Sequence, residues 1–268
     1  MDSYKDLETG GSRQVNALAN EAIGTFFITL AVMAGISGWG ALAAAGMVAF
    51  FTWFEKSGQY NAAVTLSQCI GKNRTMPSFV AGLKCIVAQI SGSTIAVLFS
   101  GVFNEGSAAS VPVGSLNTCL ADVFLTLVLL YTFDLGVEAP RSGLDLGLAY
   151  FSGLSAFPSA LGANASIVLG VFLGNAALGN GLNLGMDLVW AFGAPAVTGA
   201  VFPFLYGWSK HEKIPRRDEL IGTFLFALLT FAIGFGNAFA VGTSLHTISN
   251  IFPGTYNPAI TLAVWAKR

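Results

Sequence analysis

The stretch GTYNPAITLAVWAKR, Gly254–Arg268, decides how the chain is read. Asn is a strong helix N-cap, because its side-chain oxygen accepts from a backbone N–H one turn in. The apolar run 257–266 that follows has about 10 residues and reaches only ~16 Å, roughly half of a ~30 Å hydrocarbon core. Two other stretches have the same form: SGQYNAAVTL at 57–66 and LGANASIVL at 161–169. Each implies a short helix that starts at an Asn within the membrane and returns to the side it came from.

Composition agrees with a membrane setting. Of 268 residues, 54% are hydrophobic and 10% charged, and mean hydropathy is +0.66. Soluble domains carry roughly 25% charged residues. The 32 glycines and 22 phenylalanines suit close helix contacts and lipid-facing surfaces. The net charge of −1 favours no ionic partner, and nothing points to nucleic acid. Cys69, Cys85 and Cys119 lack metal-site spacing and read as small packing residues. No cleavable leader is evident in MDSYKDLETGGSRQ.

A span needs ~20 apolar residues. Long candidates are 17–38, 78–103, 113–133, 186–208 and 215–236, with shorter ones at 40–55, 144–160 and 237–252. If 61–71, 164–174 and 257–266 are re-entrant, all 13 Lys and Arg fall on one side. By the positive-inside rule that side is cytoplasmic and holds the N-terminus. Full spans at the short pieces would scatter the charges over both faces.

The chain also repeats itself. EAIGTFF opens one span at Glu21, ELIGTFLF another at Glu219, and Asp122 opens a looser copy, with Thr126 four residues on. The acid-to-Asn separations are 40, 42 and 38 residues, from Glu21 to Asn61, Asp122 to Asn164 and Glu219 to Asn257. A third span follows the first two copies, where Gly92 and Gly199 hold similar places. Three spans per copy is an odd number, so consecutive copies lie inverted in the membrane. Half-helices entering from opposite faces bring together two N-termini, each with about +0.5 charge and unpaired N–H groups. Asn61 and Asn164 would then offer amide donors to water or a hydroxylated solute, while cations are disfavoured. The plainer alternative is a pair of buried Asn residues that close loops.

These motifs resemble the aquaporins, or major intrinsic proteins. The likeness rests on SGQYNAAVT, GTYNPAIT, EAIGTFF, ELIGTFLF and VAQISG, and with the span order covers residues 15–268. It implies an all-α polytopic membrane protein, with three spans and a re-entrant half-helix per inverted repeat. It also implies a pore in each protomer and a tetramer. Asn61-Ala62-Ala63 matches the first signature with Pro replaced by Ala, and Asn164-Ala165-Ser166 matches the second, more altered. Asn257-Pro258-Ala259 is intact. Glu21, Asp122 and Glu219 match the acids that brace re-entrant loops in the family. The family's filter Arg is Ile167 here, and offsets put the other filter positions near Ala43, Ser152 and Leu161. Such a filter is apolar and uncharged, and neither His211 nor His246 falls in it. A rival placement sets the second signature at Asn183. The short Glu21-to-Asn61 spacing demands a tight turn at Ser37–Gly40.

The expected organisation is a cytoplasmic tail at 1–14 and a pore domain at 15–209, built of repeats 15–104 and 113–209. A basic linker follows at 210–218, then a partial second domain at 219–268, the opening of a tandem pore. The expected function is a passive channel for water or small neutral solutes such as glycerol, in a lipid bilayer, as a homotetramer or tandem pseudo-oligomer. A non-conducting structural or regulatory relative and an inverted-repeat secondary transporter are the alternatives. No cofactor, metal site or enzymatic cluster is expected.

Overall fold

Long apolar runs become long helices, and the short ones stay short. The computed structural model describes residues 12–33, 39–54, 58–70, 78–103, 116–138, 143–156, 164–180, 186–210, 215–233 and 237–251. Among them the only regular structure is helical: α1 (Ser12–Met33), α2 (Trp39–Phe54), α3 (Ala62–Ile70), α4 (Phe79–Phe103), α5 (Leu116–Glu138), α6 (Gly143–Ala156), α7 (Ala165–Ala177), α8 (Met186–Lys210), α9 (Pro215–Ile233) and α10 (Ala238–Ile251). Residues 1–11, Leu161, Asn183 and Asn257-Pro258-Ala259 lie outside the described residues, as do Ser37 and Gly38 of the Ser37–Gly40 turn and the side chain of Glu219.

Among the described residues, two helical stretches are long and apolar enough to cross a membrane: Gln14–Met33, with mean hydropathy 1.4, and Phe79–Phe103, with 1.8. Large apolar residues remain exposed on both, as at Val15, Ile23 and Phe27 of α1. On α4 the exposed face runs through Val80, Leu83, Val87, Ile95, Phe99 and Val102, at helical spacing. The face turned inward carries Gln89 and Ser93, both fully buried. Exposed large apolar residues continue on α2, at Phe50, Trp53 and Phe54, and on α8, at Val197, Val201 and Phe204. Hydroxyls within the helices donate to their own backbone one turn back, as Thr25 does to the Glu21 carbonyl (2.8 Å) and Thr126 to the Asp122 carbonyl (2.6 Å). That is how a hydroxyl is satisfied where water is scarce.

The packing has a regular order. α1 lies on α4 and α2, and α5 lies on α8 and α6. Each short helix packs against both long partners: α3 against α4 and α8, α7 against α4 and α8. α2 meets α6, and α3 meets α7. α9 and α10 pack on one another and on α6, with α10 also reaching α5.

Two glycines let helix backbones approach closely. A Cβ on Gly92 would run into the Ala22 carbonyl of α1, and one on Gly199 would run into the Ala63 backbone of α3. The two glycines therefore serve different contacts, although they hold similar places in their spans. Gly92→Leu is expected to lower stability by about 1–3 kcal/mol or more, because backbone cannot retreat as a side chain can. Gly46 has nothing within 4 Å of a built Cβ, so Gly46→Ala should melt at or slightly above the wild-type temperature. Thermal unfolding of the detergent-purified protein measures both; equal melting of the two variants contradicts the packing described.

Candidate functional site

The site begins with a problem of backbone polarity. Residues 58–61 precede α3 without helical structure, in the interior, so their N–H groups need acceptors. Glu21 supplies them from α1. Its Oε1 accepts from the Gln59 N–H and its Oε2 from the Tyr60 N–H, each at 2.8 Å. The Gln89 amide of α4 donates to Oε2 as well, also at 2.8 Å. Glu21 is fully buried, and three donors converge on it.

Tyr60 adopts a left-handed backbone, with φ 50°, a conformation that costs a side-chain-bearing residue roughly 1–2 kcal/mol. Its surroundings account for it. The ring lies so close to Gly24 and Gly58 that a Cβ on either would overlap it. The N–H faces Glu21, and the carbonyl accepts from the Asn164 amide at 2.6 Å.

The two short helices are joined at their N-termini. Asn164 caps α7 through its Oδ1, which accepts from Ser166 N–H (3.0 Å) and Ile167 N–H (3.4 Å). Asn61 Oδ1 accepts from the Ala63 N–H at 2.9 Å. Ser166 bridges the pair: its hydroxyl accepts from the Ala62 N–H (3.1 Å) and donates to Gln89 Oε1 (2.8 Å). Gln89 Nε2 also donates to Thr65 Oγ1 on α3 at 3.0 Å. Ala63, Ala165 and Ser166 have no exposed surface, and Ala62 has 2%. The Asn164 amide is thus engaged by the opposing loop through one hydrogen, where the sequence suggested a donor facing only the cavity.

The residues that open α3 and α7 answer one another. Pro at the first helical position has no N–H to satisfy. Ala62 stands there instead and exposes a donor in the interior. The Ser166 hydroxyl provides the acceptor.

Beside the junction lies a cavity of about 20 Å³, space for about one water. Gln59, Tyr60, Asn61 and Asn164 line it on one part, and Ile28, Val48, Val64, Leu129, Leu146 and Tyr150 on the rest. Ile28 and Leu129 each sit seven residues after the buried acid of their helix, Glu21 and Asp122. Two helix N-termini and amide groups at this point favour neutral polar or electronegative atoms over cations.

Of the filter positions taken from offsets, Leu161 lies outside the described residues, and Ala43, Ser152 and Ile167 do not line this cavity. Ala43 is on the exposed face of α2, while Val48 lines the cavity. Ser152 is buried against α10, its hydroxyl 3.0 Å from that of Ser244. At ~100° per residue, Ser152 points roughly opposite to Tyr150, whereas Leu146 and Tyr150 share a face. Ile167 is fully buried, its carbonyl accepting from Ser93 Oγ at 3.2 Å. Asp122 is buried at the start of α5, and the loop at 161–163 lies outside the described residues. His246 of α10 pairs with Asp145 of α6 at 2.8 Å, away from the junction. The three cysteines are buried and form no disulfide.

Comparison with models of protein families and with curated proteins finds no match to this chain. The Ala62–Ser166 pairing yields a thermodynamic test. Ser166→Ala is expected to cost about 1–3 kcal/mol, by stranding a buried donor and the Gln89 acceptor. In an Ala62→Pro background the same change should cost about 1 kcal/mol less, since no N–H remains to be stranded. Denaturation of the four proteins gives the coupling, and a coupling of zero contradicts the bridge.

Proposed function

We propose that residues 15–209 form a passive transmembrane channel for water or small neutral solutes, on the aquaporin plan of two inverted repeats. The observation that carries this reading is the junction of α3 and α7. Two short helices meet start to start, each begun by an Asn, beside a cavity of molecular width. Non-helical backbone is tolerated at membrane depth only where it is enclosed by protein or lines a cavity, and the Glu21 clamp encloses it.

The helix contacts support the repeat. Exchanging α1, α2, α3 and α4 for α5, α6, α7 and α8 turns α1–α4 packing into α5–α8 packing and α3–α8 packing into α7–α4 packing. The α2–α6 and α3–α7 contacts map onto themselves, as elements on a two-fold axis do. α5 and α8, of 23 and 25 residues, extend about 35–38 Å at ~1.5 Å per residue, enough for a multi-pass chain with the basic residues and N-terminus on the cytoplasmic side. α9 and α10 repeat α1 and α2 in sequence and pack on α6, which favours a tandem pseudo-oligomer over a detached segment. A non-conducting relative is the second reading, favoured by the small cavity and its six largely apolar wall residues.

Osmotic swelling of reconstituted vesicles, followed for water, glycerol and urea, separates the two. The channel reading expects at least one solute to exceed the empty-vesicle rate without saturation; equality for all three contradicts it. Asn61→Asp should lower neutral flux or admit cations, because it puts a charge where a neutral amide stood. Unchanged flux together with an unchanged cation leak removes Asn61 from the path.

A further inference from the structure

Tyr150 carries an unanswered polar group. The residue is 3% exposed, and its hydroxyl has no hydrogen-bond partner among the described residues. It lines the same cavity as Asn164, one helical turn from Leu146. A buried hydroxyl left without a partner costs roughly 1–3 kcal/mol, so native interiors supply one from protein or from ordered water. Here the surrounding wall is mostly aliphatic, and a cavity of about 20 Å³ exceeds the ~10–15 Å³ that a water needs. Asn164 lines the same cavity, and its amide nitrogen carries two hydrogens, one of which the Tyr60 carbonyl takes.

We infer that the Tyr150 hydroxyl, with the Asn164 amide, holds a single water in this cavity, and that the Tyr150 ring makes the passage too narrow for a polyol. The water site rests on geometry alone; the selectivity rests on the channel reading. Water fits and is hydrogen-bonded on both sides. A three-carbon polyol such as glycerol is several times larger, and the ring stands in its way. Without the hydroxyl the cavity loses a polar contact and dewets more readily.

The test uses the full chain, reconstituted, with Tyr150→Phe and Tyr150→Ala compared against wild type after matched helical content and elution are verified. Tyr150→Phe should lower water permeability about fivefold, the worth of about one neutral hydrogen bond, and still exclude glycerol. Tyr150→Ala should let glycerol pass above the empty-vesicle rate. Conducting wild type with both variants unchanged overturns the selectivity role. Independently of flux, the wild-type-minus-Phe ultraviolet Raman difference reads whether the Tyr150 phenol is hydrogen-bonded. A hydrogen-bonded phenol is expected, and a phenol without a hydrogen bond overturns the water site. A hydrogen-bonded phenol in a protein with no flux sustains the water site while the channel reading fails.

Discussion

One buried carboxylate makes the interior possible. A loop that leaves helical structure inside a low-dielectric core strands its amides, and each stranded group costs several kcal/mol in lipid. Glu21 answers the Gln59 and Tyr60 N–H groups together and takes a third donor from Gln89. Without that clamp α3 has no fixed starting point. With it, Asn61 and the Tyr60 carbonyl stand where Asn164 can reach across from α7. Gln89 then extends the network through Ser166 to the Ala62 amide. The chain of bonds runs from α1 through α4 to both short helices, and the cavity lies at its edge.

The Tyr60 seat shows how closely backbone and side chains are matched. A left-handed tyrosine is tolerated because Gly24 and Gly58 make room for its ring. The third copy keeps these residue types at the same offsets: Gly222 after Glu219, then Gly254 and Tyr256 before Asn257. The second copy has neither, with Leu125 at the place of Gly24 and Ala163 at the place of Tyr60. Glycine and tyrosine thus appear and vanish together, as a packing pair would. Leu125 instead lies against Gly153 of α6.

Much of this was legible in the sequence, because element length and the Asn starts are one-dimensional signals. The short pieces at 61–71 and 164–174 appear as helices Ala62–Ile70 and Ala165–Ala177. Glu21 stood out as a carboxylate opening an apolar span, and its partners followed from chemistry. The polar residues that finish the network were harder to see. Gln89 sits within VAQISG, where one amide in an apolar span was the available signal. Ser166 read as a further loss of the signature, and its purpose emerges only beside the Ala62 amide. Filter positions inferred from offsets depend on helix phase, and an error of two residues turns a side chain about 200° around the axis. On α6, Ser152 meets Ser244 while Tyr150, two residues before it, lines the cavity.

The proposed channel requires α3 and α7, which meet start to start, to enter from opposite faces, with their far ends open to opposite sides of the membrane. Single cysteines at Ile70, ending α3, and at Asn180, just past α7, report this once Cys69, Cys85 and Cys119 are replaced. An impermeant thiol reagent is applied to sealed vesicles of each orientation. The account predicts that Ile70→Cys labels only from the face shared with the N-terminus and Asn180→Cys only from the other. Labelling of both from one face would contradict it.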